Sequence, residues 1–289
     1  MIEALRQESW RRALRNSLIV AGAVFNAWFL IVWVPRLFLF VDARSWWGID
    51  LHNLYGLANQ SLLADGAFRL APIFAWLLYP LTLLSWPAFI AVFTGLNLLA
   101  VLAVGRRQAL LLLIAFPPIL LELVNGNIHL FMALFIWAGL RWPAAWAGIL
   151  LSKVTPGVGI VWFVARREWR NLAIALGATA AIIAVGLLID PTLWSQWVNS
   201  LVIAAGQPRV GDIPSVIGRL PFAAALAWYA GRTSRAWLVP FACVLAMPTI
   251  WIQSSALLLA SFPLYWERAR WQTKPAQSAP TAPIPAVAT

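Results

Sequence analysis

Residues 87–124 read PAFIAVFTGLNLLAVLAVGRRQALLLLIAFPPILLELV, two apolar runs that are separated by the pair Arg106-Arg107. Apolar runs of this length are typical of membrane-spanning helices. Positive charges between two spans favour the cytoplasmic side of a membrane. The stretch therefore predicts a helical hairpin whose turn lies in the cytoplasm.

The composition of the whole chain agrees with this class. The 289 residues are 62% hydrophobic and 11% charged, whereas a soluble domain has roughly a quarter charged residues. The net charge of +11 does not indicate nucleic-acid binding, because the basic residues lie at predicted helix ends rather than in one patch. The single cysteine, Cys243, excludes a disulfide framework and a Cys-based metal site.

The pattern predicts an all-α, polytopic membrane protein with both termini in the cytoplasm. A cytoplasmic amphipathic helix (1–16) precedes the transmembrane region (17–266), and a disordered Pro/Ala-rich tail (267–289) follows it. Residues 72–84 are expected to form an interfacial or re-entrant helix. About ten crossings are predicted, some of them short paired helices: 17–40, 87–104, 108–124, 127–140, 142–153, 156–165, 171–189, 215–231, 236–249 and 252–266.

The crossings around Lys153 are unusually short. A 12-residue helix covers roughly 18 Å of a hydrocarbon core of roughly 30 Å. An alternative is one long helix over 142–165, which would bury Lys153 and Pro156 at mid-membrane. We favour short helices that meet at residues 153–156, because charged or irregular backbone at that depth is tolerated where it lines a water-filled cavity.

The outer face is where chemistry is expected. With this topology, 15 of the 21 Lys and Arg lie on the cytoplasmic side and all five Asp lie on the other, several of them in the outer loop 41–71. Asp50 is the first candidate for a general base, although a solvated loop acid or a helix N-cap explains it equally well. Asp42 is its rival, but it lacks the polar neighbours of Asp50. These neighbours are candidate substrate-binding residues: His52, Asn53 and Tyr55.

Lys153 is the candidate phosphate ligand, since an ammonium group at the tip of two short helices suits a phosphate. A lysine that snorkels to an interface is the competing interpretation. Arg69, Arg209 and Arg219 are weaker phosphate candidates. The remaining candidate substrate-binding residues lie in the turn after Glu122 and beside Lys153: Asn125, Asn127, His129 and Thr155.

An ordinary tight turn explains Asn125, Asn127 and His129, the residues after Glu122, equally well. Glu122 is expected either to pair with an arginine or to accept a hydrogen bond from a sugar hydroxyl. The sequence contains no Walker motif, dinucleotide-binding motif or credible metal-ligand cluster. We therefore predict neither a metal nor a cofactor.

Four segments carry a family resemblance: Asp50 to Tyr55 with the entry 68–72, Gly126-Asn127 before the apolar run 128–140, the run 147–156 with its Lys-x-x-Pro ending, and the basic run 166–170. Together they resemble the GT-C membrane glycosyltransferases, particularly the family-87 enzymes related to polyprenyl-phosphate-mannose-dependent α-mannosyltransferases. The resemblance implies a GT-C-like fold and transfer of a sugar, with inversion and without a metal, from a polyprenyl-phosphate donor to a lipid or glycan acceptor outside the cell membrane. It implies Asp50 as the base and Lys153 as a ligand of the donor phosphate.

Two other functions stay open at this point. A lipid-linked sugar carrier or flippase would use the same outer cavity, and a non-catalytic membrane partner of a polysaccharide synthase would need no catalytic residue. The flippase requires a polar path through the bilayer, and the predicted spans contain few polar residues at mid-depth. Membrane lipids are expected partners in every case.

Overall fold

The computed structural model describes residues 2–60, 66–206 and 215–272, and this part of the chain contains helices and no β-strand. The predicted all-α membrane class is confirmed. The α-helices are α1 (Ile2–Trp28), α2 (Val41–Trp47), α3 (Gly56–Gln60), α4 (Pro72–Thr82), α5 (Trp86–Gly105), α6 (Ala109–Ala115), α7 (Pro117–Asn125), α8 (His129–Gly139), α9 (Trp146–Ser152), α10 (Val161–Arg166), α11 (Trp169–Ile189), α12 (Pro191–Gly206), α13 (Val216–Arg232), α14 (Val239–Leu245), α15 (Ser261–Trp266) and α16 (Arg268–Gln272).

Three helical stretches in the described chain are long and apolar enough to cross a membrane, judged by length and composition: Arg12–Arg36, Trp86–Ala115 and Trp169–Ile189. The second contains a 3₁₀ turn at Arg106–Gln108, where Arg106 has a φ of 51°. Helices α5 and α6 pack against each other on either side of that turn. The ten crossings and their orientation stay predictions.

The N-terminal region forms one helix rather than two. Helix α1 continues from Ile2 to Trp28 and is followed directly by a π-helical turn (Phe29–Trp33) and a 3₁₀ turn (Val34–Arg36). Residues 16 and 17, the predicted boundary between the amphipathic helix and the first span, both lie inside α1.

The chain is broken at Lys153, as the short-helix interpretation predicts. Helix α9 ends at Ser152, Lys153 is extended (φ −142°, ψ 110°), and a 3₁₀ helix over Thr155–Ile160 follows. The single long helix over 142–165 is therefore wrong. Pro156 explains part of the break, because a proline has no N–H to donate to the carbonyl four residues earlier, that of Ser152, and its ring would clash with that carbonyl in a continuous α-helix.

Helix α8 lies at the centre of the fold, and packs against α5, α9 and the 3₁₀ helix Ile252–Ala260. Its first turn contains His129, and Arg141 follows its last residue by two positions. An 11-residue helix is about 16 Å long, so His129 and Arg141 lie at opposite ends of this central helix.

Salt bridges join several helix ends beyond the C-terminus of α8. Glu267 accepts from Arg106 (Nη1 to Oε1, 3.2 Å) and from Arg141, whose guanidinium lies 4.2 Å from the centre of the Trp137 ring. We call this region the arginine end and define it by Arg106, Arg141, Arg166, Glu267 and Trp271. Residues 268–272 of the tail are helical, and the rest of the predicted disordered tail, 273–289, lies outside the described residues.

Candidate functional site

The outer loop is attached to the turn after α7 by two hydrogen bonds. The backbone N–H of Phe40 donates to the carbonyl of Val124 (2.8 Å), and the Trp46 indole Nε1 donates to the carbonyl of Gly126 (3.0 Å). These contacts lie on either side of Asp42 in the sequence. They hold Asp42, on α2, against the Asn125–Asn127 turn.

Gly126 makes this close approach possible. It ends α7 in the left-handed conformation (φ 70°), which costs a residue with a side chain about 1–2 kcal/mol. A Cβ atom at this position would also lie only 2.7 Å from the Cβ of Ala43. Glycine is therefore required both for the turn and for the packing of α2.

Asp42 is held by two amide groups of the turn. Asn127 Nδ2 donates to Asp42 Oδ2 (2.5 Å), and Asn125 Nδ2 donates to the same oxygen. Asn127 Oδ1 in turn accepts from the backbone N–H of Ile128 (2.7 Å), which fixes the orientation of this amide. Both amides contact Oδ2, so Oδ1 is the oxygen of Asp42 that a ligand can use.

Glu122, His129 and Lys153 form a second chain of contacts. Glu122 Oε1 accepts from the backbone N–H of His129 (2.5 Å), and Oε2 lies 2.9 Å from His129 Nδ1. His129 Nε2 lies 2.8 Å from Lys153 Nζ. The Glu122 carboxylate thus takes the place of an N-cap for α8, whose preceding residue, Ile128, makes no side-chain cap.

Arg69 reaches the same region through a backbone contact. Ala71 donates its N–H to the carbonyl of Leu151 (3.0 Å), which places the residues before Ala71 beside those after Leu151. The charges of Glu122, Asp42 and Arg69 all act on Lys153. We call this group the Lys153 cluster and define it by Asp42, Arg69, Glu122, Asn125, Asn127, His129 and Lys153.

Thr155 lies two residues after Lys153 in the chain. Its hydroxyl oxygen is buried and has no hydrogen-bond partner in the described part of the chain. A buried polar atom without a partner is costly, and a ligand hydroxyl or phosphate oxygen would remove that cost. The structure thus brings together five of the residues that the sequence predicts for substrate binding: Arg69, Asn125, Asn127, His129 and Lys153.

Asp50 lies in a different environment. Its side chain is 65% exposed, and its Oδ1 accepts from the backbone N–H of His52 (2.9 Å) in a local turn, while the His52 side chain is fully exposed. Asp50 and Asn53 line a small open cavity of about 160 Å³ together with Ser45 and Phe68. Ser45 lies one helical turn after Asp42 on α2, but no residue of the Lys153 cluster lines this cavity.

Two further candidates, Tyr55 and Arg219, are buried and donate hydrogen bonds to backbone carbonyls. The Tyr55 side chain is buried, its hydroxyl donates to the carbonyl of Leu70 (2.6 Å), and burial raises the pKa of this phenol. Arg219 is buried and donates to the carbonyls of Leu245 and Pro248, near the end of α14. Arg209 lies outside the described residues.

Two residues of the Lys153 cluster, Asp42 and Glu122, are not the leading candidates in the sequence analysis. Asp42 is the second choice after Asp50 because it lacks neighbouring His, Asn and Tyr residues, and Glu122 is expected to contact an arginine or a sugar hydroxyl. The signal for Glu122 was its position seven residues before His129, on the other side of a tight turn in an apolar region. Within residues 2–60, 66–206 and 215–272, no three His, Cys, Asp or Glu side chains are grouped as metal ligands.

The sequence model of glycosyltransferase family 87 matches residues 70–276 of this chain. The chain belongs to glycosyltransferase family 87. The resemblance drawn from the sequence motifs is thereby confirmed, and the protein is a glycosyltransferase. No curated protein and no solved structure matches the chain.

The family-87 match covers one part of the Lys153 cluster. Glu122, Asn125, Asn127, His129 and Lys153 lie inside residues 70–276, whereas both candidate carboxylate bases, Asp42 and Asp50, precede the matched region. The family assignment therefore supports the enzyme class and leaves the choice of base to geometry.

Proposed function

We propose that this family-87 enzyme transfers a hexose, in our proposal mannose, from a polyprenyl-phosphate donor to a hydroxyl of a lipid or glycan acceptor. The reaction takes place on the non-cytoplasmic face of the cell membrane and requires no metal. The observation that carries the proposal is the Lys153 cluster, in which a cation for a phosphate lies beside a carboxylate for a hydroxyl.

Lys153 and Arg69 are the proposed ligands of the donor phosphate. Lys153 is half-buried, and the charge of Arg69 acts on it. Positive charges fixed in a partly dry site stabilise the negative charge that develops on a leaving phosphate. Thr155, whose hydroxyl has no partner in the described chain, adds a hydrogen-bond donor at the same place.

Asp42 is the proposed general base, because it lies in the cluster with the cations. The acceptor hydroxyl oxygen attacks the anomeric carbon, its proton passes to Asp42, and the bond between the anomeric carbon and the phosphate oxygen breaks. Polyprenyl phosphate leaves with the bonding electron pair, next to Lys153. A single displacement of this kind inverts the configuration of the anomeric carbon.

Asp50 remains the alternative base that the sequence predicts. It lines the small open cavity, and an acceptor sugar in that cavity would contact Asp50 and Asn53. Asp50 is exposed, and its carboxylate accepts a hydrogen bond within a turn from His52. We therefore favour Asp42 as the base, since an exposed carboxylate is solvated by water and not directed at a substrate.

The test is sugar transfer from radiolabelled polyprenyl-phosphate-mannose by membranes that contain the wild type or a variant, with EDTA present throughout. We expect Asp42→Asn to lower the rate by roughly 10²–10⁴-fold, the usual contribution of a general base. The matched control is Asp190→Asn, which changes a carboxylate that only caps α12 through the N–H of Leu193 (3.0 Å). This control should retain the wild-type rate.

Loss of transfer in Asp50→Asn alone would assign the base to Asp50 instead. No transfer by any form in EDTA, with transfer restored in the wild type by an excess of a divalent cation, would contradict the metal-independent mechanism. If the wild type transfers no sugar across a panel of donors and acceptors, the carrier or the non-catalytic partner replaces the transferase.

A further inference from the structure

The pair Glu122–His129 is the most deeply buried polar group in the Lys153 cluster. The side chain of Glu122 is 0% exposed and that of His129 is 1% exposed. A polyprenyl-phosphate sugar in the site cannot contact either residue directly, and yet both are connected to Lys153 by hydrogen-bond distances of 2.8 and 2.9 Å. Their effect on a ligand must therefore pass through Lys153.

Hydrogen-bond chemistry restricts how these three side chains are protonated. An ammonium group only donates, so His129 Nε2 must accept from a charged Lys153. A carboxylate only accepts, so His129 Nδ1 must carry the hydrogen that contacts Glu122 Oε2. The contacts thus require a neutral imidazole in the Nδ1–H tautomer.

We infer that Glu122 and His129 are positioning residues that hold the ammonium group of Lys153 for the phosphate of the lipid donor. The inference rests on the proposed function, in which Lys153 binds that phosphate. Glu122 fixes the tautomer and the ring orientation of His129, and the Nε2 lone pair of His129 then fixes the position of Lys153 Nζ.

The neutral imidazole of His129 separates the Glu122 carboxylate from the Lys153 ammonium group. A carboxylate in direct contact with Lys153 would neutralise the ammonium group and compete with a phosphate for it. A neutral imidazole takes one of the three hydrogens and leaves the charge and the other two hydrogens for the ligand. The Glu122 charge remains one ring further away, which lowers the cost of burying Lys153 without occupying its donors.

The two oxygens of Glu122 are both needed. One accepts the backbone N–H of His129, and the other accepts the Nδ1–H. In Glu122→Gln one acceptor becomes an NH₂ group, so one of these two donors faces another donor. If the side-chain contact is the one lost, His129 changes tautomer and its Nε2–H then faces the Lys153 ammonium group.

The first experiment is ¹⁵N NMR of the purified full-length protein labelled at histidine. The chain has two histidines, so the resonances of His129 are assigned from their persistence in His52→Gln, a variant used only for this purpose. We expect a protonated Nδ1 and an unprotonated Nε2 at neutral pH, and a changed pattern in Glu122→Gln. A proton on Nε2 in the wild type would overturn the inference.

The second experiment is equilibrium binding of polyprenyl phosphate, with the unphosphorylated polyprenol as the control ligand. Lys153→Ala should reduce the difference in affinity between the two lipids to what Arg69 alone contributes. Glu122→Gln should weaken polyprenyl-phosphate binding by about tenfold, the effect of one misdirected hydrogen bond to a charged group. Polyprenol binding should not change in either variant.

Two substitutions of His129 separate positioning from packing. His129→Gln supplies an oxygen near the position of Nε2 and can still accept from Lys153, whereas His129→Asn replaces only the Nδ1 side of the ring. We expect His129→Gln to retain more polyprenyl-phosphate affinity than His129→Asn. All affinities are measured below the thermal unfolding midpoint of the variant, so that loss of fold does not register as loss of binding.

The outcomes distinguish this inference from the proposed function. If Lys153→Ala loses binding and Glu122→Gln binds within twofold of the wild type, the positioning role is wrong and the phosphate ligand stands. If Lys153→Ala binds polyprenyl phosphate as the wild type does, Lys153 is not the phosphate ligand. The proposed function then fails at that residue, and the positioning role fails with it.

Discussion

Asp42 and Asp50 belong to one loop, but their surroundings give them different chemistry. The oxygen Oδ2 of Asp42 is fixed by amides from the Asn125–Asn127 turn, and Asp42 acts electrostatically on Lys153. Asp50 is largely exposed, and its carboxylate accepts a hydrogen bond from the backbone N–H of His52, two positions away. A carboxylate fixed in this way keeps its geometry when a substrate binds, which is what a base needs.

At the scale of single residues, Gly126→Ala should destabilise the protein. The left-handed backbone of Gly126 and the short distance to Ala43 predict a loss of at least about 1–2 kcal/mol of unfolding free energy. The measurement is denaturant or thermal unfolding in one detergent. Gly95→Ala in α5 is the matched control, because a Cβ there meets nothing within 4 Å, and its stability should equal or exceed that of the wild type.

The residues of the site could be predicted only in part from the sequence. Lys153 was identifiable because it is one of two lysines and lies at a break in an apolar region. The contacts that favour Asp42 as the base could not be predicted from the sequence, since its amide partners lie 83 and 85 residues further along the chain. No local pattern contains contacts of that separation, whereas the polar neighbours of Asp50 are all local.

Among the helices, the packing of α1 on α6 depends on a small residue and an amide. A Cβ at Gly22 would collide with the carbonyl oxygen of Ala115, and Asn26 Nδ2 donates to the carbonyl of Ile114 (2.8 Å). Asn26 thereby satisfies a carbonyl near the end of α6, where the last carbonyls of a helix have no N–H donor within the helix. Close approach at a small residue is a common way for helices to associate in a membrane.

Gly22→Ala should therefore separate α1 from α6 and lower the thermal midpoint. Gly177→Ala in α11 is the control, because the same change there meets no atom within 4 Å. The two variants are compared by thermal unfolding in the same detergent. Equal midpoints for Gly22→Ala and Gly177→Ala would contradict the close contact between α1 and α6.

Helix ends were predictable where the chain contains residues that stop helices. The predicted segments 87–104, 127–140 and 171–189 agree with α5, α8 and α11 within two residues at each end. Arg106, Gly126 and Pro191 lie at or next to these boundaries, and residues of these types commonly end helices or turn the chain. No glycine or proline lies within five residues of position 16, and α1 continues through the predicted boundary although Arg15 lies next to it.

For the whole molecule, the predicted orientation follows from the charges at the two ends of α8. The arginine end contains Arg106, Arg141 and Arg166, whereas Asp42 and Glu122 lie in the Lys153 cluster at the other end. The positive-inside rule places the arginine end in the cytoplasm. This orientation would put the site on the outer face, as the proposed function requires.

Cysteine labelling in intact cells tests the orientation. The one native cysteine, Cys243, is buried, so Cys243→Ala gives a background without thiols. In this background we expect a membrane-impermeant maleimide to label His52→Cys in intact cells, and Arg107→Cys only after the membrane is opened. Both positions are exposed. Labelling of Arg107→Cys and not of His52→Cys in intact cells would reverse the orientation.

The length of α8 has a consequence for the surrounding membrane. Its two ends carry charged groups, and yet they are only about 16 Å apart, roughly half the thickness of a hydrocarbon core. Because α8 lies inside the fold, its ends meet protein and not lipid. In a bilayer that α11 crosses, at least one of these charged ends therefore lies below the membrane surface, where water must reach it through the protein. The headgroup of a lipid bound there would lie deeper than the headgroups of its neighbours in the membrane.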